Sequence, residues 1–184
     1  MIFSGPIFEQ VLACLFFFSS KTMAFQLRHE AIGMWENWLT RSSSGSSGPI
    51  LSCPSGLHVS KVIAYRHSQS PHTVENIQLV CSDGRLTPLC LEDFRGHDLV
   101  ASSSPTLPSA PEGVAVRVDS SKGYISDIGV QVDRSLTWVV SGETVQPSES
   151  RENEYSVSSH FGHLRGLQCR AVPGTGLMDV RFHT

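Results

Sequence analysis

The chain has 184 residues, of which 40% are hydrophobic, and this is enough for one domain with a substantial apolar core. Lys and Arg number 14 against 17 Asp and Glu, so no broad positive field is available to attract nucleic acid or anionic lipid. Stretches rich in Ser, Gly and Pro are common and long helical periodicities are scarce after residue 40, which favours an all-β fold.

The first 24 residues, "MIFSGPIFEQVLACLFFFSSKTMA", contain an apolar run from Val11 to Phe18 that is too short to span a bilayer. A run of this length with small residues near Ala24 is typical of a secretory signal, so residues 1–24 are predicted to be a signal peptide and the protein to be secreted. The first ten residues lack Lys and Arg and include Glu9, which leaves open a true start at Met23 or a buried apolar segment. No stable membrane span is expected.

Cleavage near residue 24 removes Cys14 and leaves an even number of cysteines. In a secreted chain they predict two disulfides, for which three pairings exist, and the residues alone do not choose among them. The alternative is a set of buried free thiols. The spacing lacks the C-x-x-C of a zinc site. The four are Cys53, Cys81, Cys90 and Cys169.

Two tryptophans, Trp35 and Trp38, lie three positions apart in "GMWENW". We expect this stretch to cover one end of the core as part of the first β-sheet of the chain. A short amphipathic helix spanning "HEAIGMWENWL" is the alternative, because periodicity separates helix from strand poorly in short apolar runs.

Three later stretches repeat one pattern at intervals of about 50 residues, starting at Gly56, Gly113 and Gly166. Each begins with Gly and an alternating apolar strand and then crosses a turn-forming stretch such as "DSSKG" or "PGTG". Each closes with the order apolar, any, Asn or Asp, apolar, any, apolar. The repeated Asn or Asp is Asn76, Asp127 and Asp179 in turn.

The closing strand of each unit has two different faces, because side chains alternate in a β-strand. The apolar face is predicted to lie in the core, and the face that carries Asn76, Asp127 and Asp179 to meet solvent or a cleft. The predicted core set is Ile77, Leu79, Cys81, Ile128, Val130, Val132, Val180 and Phe182. The opposite face also carries Gln78, Gln131 and Arg181.

Three units that cannot bury their own apolar faces are expected to pack around a common axis. The sequence therefore predicts an all-β fold, a β-prism of three antiparallel sheets with a pseudo-threefold internal repeat. It is predicted as one domain over residues 25–184, with units near 33–81, 86–132 and 136–184. The stretches "LTPLCLEDF" and "SLTWVVSG" alternate apolar residues and are expected to add strands that complete the sheets.

From roughly Gly33 to Thr184, the chain resembles the vitelline membrane outer layer protein I family. The resemblance is carried by "GMWENW" followed by "SCPSG", by "TVENIQLVCSDG", and by "GLQCRAVPGTGLMDVRF". It is strong in the first and third units and weak in the second, where Val132 stands in the place of Cys81. The Trp-x-x-Trp element is not repeated, and Phe94, Trp138 and Phe161 are partial substitutes for it.

The resemblance implies a secreted, disulfide-bonded β-prism close in fold to jacalin-type lectins and associated with extracellular coats such as egg envelopes. It implies a structural role and binding or transfer of chito-oligosaccharide units, with an oligosaccharide or glycoprotein matrix as partner. By position, Asn76, Asp127 and Asp179 match the Asn or Asp that the family repeats. The family pattern also implies a Cys53–Cys81 bridge and leaves Cys90 with Cys169 to link different units.

The three Asn and Asp residues admit two interpretations. Their amide and carboxylate groups can hydrogen-bond to vicinal hydroxyls, which makes them candidate carbohydrate-binding residues. Alternatively, they cap the preceding turn through bonds from side chain to backbone, and a position repeated in a symmetric fold favours this structural role.

Catalysis is not supported by the sequence, although a glycan-processing enzyme acting on N-acetylglucosamine oligomers, a transferase or hydrolase, is the alternative function. Such an enzyme needs two facing carboxylates, and the candidate pairs are Glu92 with Asp93 and Glu152 with Glu154. His160 and His163 lack a third metal ligand and are expected to be surface residues, so no metal and no cofactor are predicted.

Overall fold

A computed structural model describes residues 38–40, 42–91, 98–146, 154–158, 163–172 and 175–183. All of them belong to the compact unit Met34–Thr184. The predicted signal peptide 1–24 and Trp35 lie outside the described residues. Within the described ranges, no helix has the length and apolar character that crossing a membrane requires.

Eleven β-strands make up the regular structure of the described residues. They are β1 (Ser46–Ser52), β2 (Val59–His67), β3 (Ser70–Cys81), β4 (Leu99–Ser103), β5 (Gly113–Val118), β6 (Ile125–Val132), β7 (Ser135–Trp138), β8 (Thr144–Val145), β9 (Glu154–Ser158), β10 (Gly166–Val172) and β11 (Gly176–His183). They form three antiparallel sheets: a first sheet of order β3-β2-β4, a second of order β8-β7-β6-β5-β9, and a third of order β1-β10-β11.

Each sheet is built on one of the three predicted hairpins, β2–β3, β5–β6 and β10–β11. The connections follow from local turn chemistry. Between β5 and β6, for example, the Asp119 carboxylate accepts a hydrogen bond from the Ser121 amide at 2.9 Å. The predicted fold class, an all-β prism of three antiparallel sheets, is confirmed.

The three sheets share a single main hydrophobic core among the described residues. Strands β3, β6 and β11 contact one another, so the second strand of every hairpin faces the common axis. The predicted core face is confirmed, since Ile77, Leu79, Cys81, Ile128, Val130, Val132, Val180 and Phe182 are all buried. Full burial of each large apolar side chain stabilises the fold by roughly 1.5–3 kcal/mol.

The third sheet joins the two ends of the described chain, because β1 pairs with β10. A sheet therefore combines strands from distant parts of the chain, whereas the units predicted near 33–81, 86–132 and 136–184 are consecutive stretches. "GMWENW" was expected to belong with the first hairpin, and its only described residue, Trp38, instead begins a segment beside β11. The Leu39 amide there donates to the Val180 carbonyl at 3.0 Å.

A further segment lies beside the second strand of each hairpin, and we call these three the flanking segments. They are residues 86–91 beside β3, residues 135–141 beside β6, and residues 38–40 with 42 beside β11. In the stretch "SLTWVVSG" the expected strand is β7. Within the described part of "LTPLCLEDF", residues 86–91, Leu86 alone forms a β-bridge, with Val80. Phe94 lies outside the described residues.

Two disulfides close the structure, Cys53–Cys81 and Cys90–Cys169, with Cα–Cα distances of 5.6 Å and 6.2 Å. The first is the bridge that the family resemblance implies. The second joins the flanking segment of the first sheet to β10 in the third sheet, so it links two sides of the prism covalently.

Candidate functional site

A β-bulge precedes each of the three repeated Asn and Asp residues. The strand register shifts between Tyr65 and Arg66, between Arg117 and Val118, and between Arg170 and Ala171, opposite the residue pairs 75–76, 126–127 and 178–179. The bulge adds one residue to the strand, so apolar residues three apart both reach the core. The buried pairs are Val74 with Ile77, Ile125 with Ile128, and Leu177 with Val180.

Asp127 holds the flanking segment of the second sheet through its carboxylate. Oδ1 accepts hydrogen bonds of 2.8 Å from the Ile128 and Val140 amides, and Oδ2 accepts one of 3.0 Å from the Ser141 amide. Both carboxylate oxygens are therefore occupied by backbone N–H groups, and the segment is fixed where it leaves the sheet.

Asp179 makes the same arrangement in the third sheet. Oδ1 accepts from the Val180 amide at 2.9 Å and the Thr40 amide at 2.8 Å, and Oδ2 accepts from the Ser42 amide at 2.9 Å. The bonds to Thr40 and Ser42 hold an early part of the chain against its last strand.

Asn76 is the equivalent residue of the first sheet, but its segment presents a different backbone group. Oδ1 accepts from the Ile77 and Leu91 amides at 2.9 Å and 3.2 Å. Nδ2 donates to the Leu91 carbonyl at 3.1 Å, where a carboxylate would place a second acceptor. The amide is needed at this position because the segment offers one donor and one acceptor.

The three residues were expected to face solvent or a cleft, and that expectation is wrong for their side chains. Asn76 and Asp179 are 0% exposed and Asp127 is 4% exposed. They also do not cap the preceding turn, since their non-local bonds run to the flanking segments. Buried acceptors that are fully satisfied by backbone amides stabilise a fold, which supports the structural interpretation. Their direct role in carbohydrate binding stays a prediction.

The outer face of each sheet carries a second set of equivalent positions. Tyr65, Arg117 and Arg170 pair with Asn76, Asp127 and Asp179 respectively in the strand register. Each flanking segment also has an equivalent position, which lies two residues before the first segment residue whose amide binds the Asn or Asp. This position holds Leu89 in the first sheet, Trp138 in the second and Trp38 in the third. The second and third sheets therefore each place an arginine beside a tryptophan.

In the second sheet this pair is enclosed by acidic groups. The Arg117 guanidinium lies 4.0 Å from the centroid of the fully buried Trp138 ring. It donates to Glu154 and Glu143, each at 2.8 Å. Burial by itself lowers the pKa of Arg117, but the hydrogen bonds and charges of Glu154 and Glu143 raise it above its ordinary value. The positive charge of Arg117 is thus neutralised within the protein.

In the third sheet, two guanidinium groups share one aromatic ring. Those of Arg170 and Arg181 lie 4.2 Å and 4.9 Å from the centroid of Trp38. Arg181 donates to Gln168 Oε1 from Nε at 3.0 Å and from Nη2 at 2.7 Å. Arg170 donates from Nη1 to the Ser42 carbonyl, in the segment that Asp179 holds.

The first sheet has neither the arginine nor the tryptophan at these positions. Tyr65 donates its hydroxyl to Gln78 Oε1 at 2.8 Å, and Gln78 donates to the Thr87 carbonyl at 2.7 Å. This network is neutral, so the three sides of the prism differ in charge although their backbones are equivalent.

Sequence reasoning missed Arg117 and Arg170, although a signal was available. Each is the fourth residue after the glycine that begins its unit, Gly113 or Gly166. The sequence indicated the equivalence of Trp38 and Trp138 only in part. Trp138 was recognised as a partial substitute for the Trp-x-x-Trp element, but its spacing did not match it to the second tryptophan of "GMWENW".

Neither candidate catalytic pair is complete within the described residues. Glu92, Asp93 and Glu152 lie outside them, and Glu154 binds Arg117. His160 also lies outside them, and His163 is exposed. The described ranges contain no group of three His, Cys, Asp or Glu residues arranged to hold a metal ion.

Comparison with solved structures finds the same fold at low sequence identity. The chain is similar to a prostate-specific WGA16 glycoprotein lectin, with a TM-score of 0.52 and 11% identity over 77% of this chain and 91% of that chain. It is similar to a Lamprey immune protein, with a TM-score of 0.51 and 12% identity over 82% of this chain and 44% of that chain, so it spans less than half of that protein.

A mannose-binding jacalin-related lectin from Ananas comosus also matches, with a TM-score of 0.48 and 15% identity, over 82% of this chain and 96% of that chain. No family model matches the sequence, and a comparison with curated proteins finds no match.

Proposed function

We propose that the chain is an extracellular carbohydrate-binding protein that recognises glycans without altering them. The observation that carries this proposal is the three-sheet prism, which is shared over 91% of the length of a protein described as a glycoprotein lectin. A fold alone does not determine function, so the proposal also draws on the outer-face side chains of this molecule.

An extracellular location agrees with the two disulfides, because such bonds form and persist in oxidising compartments. The predicted signal peptide 1–24 belongs to the same proposal. We propose that the secreted chain is a component of an extracellular matrix or coat of the vitelline outer layer type, with an oligosaccharide or a glycoprotein matrix as its partner.

In this proposal, Asn76, Asp127 and Asp179 contribute to glycan binding by fixing the flanking segments. Their polar atoms already bind backbone groups, so a direct sugar contact would require those segments to move away. The segment beside β11 brings Trp38 next to the outer-face residues Arg170 and Arg181, and such a combination of aromatic and polar side chains suits the two kinds of surface on a pyranose ring.

A glycan array that includes N-acetylglucosamine oligomers tests the proposal, followed by mass analysis of each bound glycan. We expect saturable binding of at least one glycan, which is recovered with its chain length unchanged. Recovery of shortened or lengthened chains would instead favour the glycan-processing enzyme. Absence of binding to every glycan would contradict the proposal and leave a purely structural role.

A further inference from the structure

We propose that the outer face of the third sheet binds an anionic glycan and that Arg170 contacts its sulfate or carboxylate group. This inference rests on the proposed function and specifies its ligand class and its site. The site comprises Arg170, Arg181, Gln168, Trp38 and the neighbouring Ile50, and we call it the third-sheet face.

The charge of Arg170 is balanced differently from that of its equivalent in the second sheet. Arg117 forms ion pairs with two carboxylates, Glu143 and Glu154. Among the described residues, Arg170 forms none, and its contacts are the Trp38 ring and the Ser42 carbonyl. The paired aspartate, Asp179, has both oxygens engaged by backbone amides. A partly buried guanidinium without a carboxylate is a favourable partner for an external anion.

The guanidinium is held in place before any ligand arrives. The backbone that follows Trp38 is held by the Leu39–Val180 bond and by the Asp179 bond to Thr40, and Arg170 stacks on the Trp38 ring. Arg170 uses Nη1 on the Ser42 carbonyl, which sets the plane of its remaining donors. A planar donor group that is already oriented loses little entropy on binding and matches a carboxylate or sulfate in a two-point contact.

The surroundings of Arg170 favour a sugar as the carrier of that anion. Arg181 brings a second positive charge to the same ring, and Gln168 fixes it with two hydrogen bonds. Beside Gln168 in the register lies Ile50, which is 52% exposed and offers apolar surface for the C–H face of a pyranose. A short run of charge beside apolar surface suits an acidic glycan better than the extended phosphate row of a nucleic acid.

The test compares N-acetylglucosamine tetrasaccharide with its 6-O-sulfated form, measured against the full secreted chain by calorimetry. We expect the sulfated form to bind more tightly than the neutral one. Arg170→Gln should weaken its binding about tenfold or more, the loss typical of one hydrogen-bonded charge contact, and should reduce the difference in affinity between the sulfated and the neutral form.

Two variants keep the test decisive. Arg165→Gln removes the same charge from an exposed residue just before β10 that is not part of the third-sheet face, and it should leave binding unchanged. Arg170→Lys keeps the charge without the planar fork and should give an intermediate loss, and it covers the case in which Arg170→Gln fails to fold. A thermal melt of each variant reports folding.

The inference is overturned if the two glycans bind equally, or if Arg165→Gln weakens binding as much as Arg170→Gln does. It is also overturned if single-stranded DNA competes as effectively as the sulfated glycan. Binding of neutral glycans alone would refute the third-sheet face and leave the proposed function intact, whereas failure to bind any glycan on the array would refute both.

Discussion

The Oδ1 atom of Asp179 accepts a 2.8 Å hydrogen bond from the backbone amide of Thr40, which lies 139 positions earlier in the chain. Through this contact one side of the prism is completed by residues from both ends of the described chain. Asp127 and Asn76 accept the equivalent hydrogen bonds from the amides of Val140 and Leu91, which are only 13 and 15 positions away in the chain. The prism therefore has three equivalent attachment points, and they are buried.

Replacing an aspartate by asparagine should weaken its attachment point. In Asp127→Asn and Asp179→Asn, one oxygen becomes an NH₂ group that meets a backbone N–H, so that amide loses its acceptor. We expect each variant to lose about 1–3 kcal/mol of unfolding free energy in urea titrations, the cost of an unsatisfied buried donor. Asp133→Asn is the control, because Asp133 is exposed and has a left-handed backbone that asparagine tolerates, so its stability should not change.

The reverse exchange, asparagine to aspartate, should destabilise the first sheet, where the equivalent residue is Asn76. Asn76→Asp places a carboxylate oxygen against the Leu91 carbonyl at a fully buried site. The protonated form is favoured there, so the pKa of the introduced carboxyl rises in the folded state and the variant regains stability as the pH falls. Urea titrations at pH 7 should show a loss of about 3 kcal/mol. A loss that is independent of pH would contradict this account.

Gly129 should not tolerate a side chain, because Trp138 lies across it. A Cβ atom there would approach Leu136 Cδ1 to 2.8 Å and Trp138 Cε3 to 3.2 Å. Gly129→Ala is expected to cost about 1–3 kcal/mol through overpacking and to change the near-ultraviolet circular dichroism of the tryptophans. Gly84→Ala meets open space with a left-handed backbone, so it should lower stability without changing that spectrum.

The disulfide that joins two sheets should contribute more to stability than the disulfide within the first unit. Cys90–Cys169 spans 79 positions and Cys53–Cys81 spans 28. Loop entropy predicts that removing the longer one costs about 1 kcal/mol more than removing the shorter one. Guanidinium titrations of the two double-alanine variants measure the difference, and an equal or reversed order would show that the entropy of the unfolded chain does not govern it.

Much of the fold could be predicted from the sequence, because the signals for it are local. The alternating apolar residues of β6 and the turn residues before it identify one hairpin, and similarity to two other stretches identifies the rest. The bulge was also encoded, since Ile125 and Ile128 are three positions apart where an uninterrupted strand would have two.

The pairing of distant segments could not be predicted in the same way. Periodicity does not say which sheet a segment joins, so the residues around Trp38 were assigned to the nearest hairpin rather than to β11. The burial of Asp179 depends on the segment around Trp38, because that early segment covers the carboxylate oxygens of Asp179 near the end of the chain. The arginine–tryptophan pairs follow from the same attachment and were missed with it.

Amide hydrogen exchange followed by NMR tests most directly whether the three buried residues hold the flanking segments. In Asp179→Asn, this account predicts that the Thr40 and Ser42 amides exchange about tenfold faster or more. The Val140 and Ser141 amides, which Asp127 holds, should keep the protection that they have in the unmodified protein. Unchanged exchange at Thr40 and Ser42 would contradict the account.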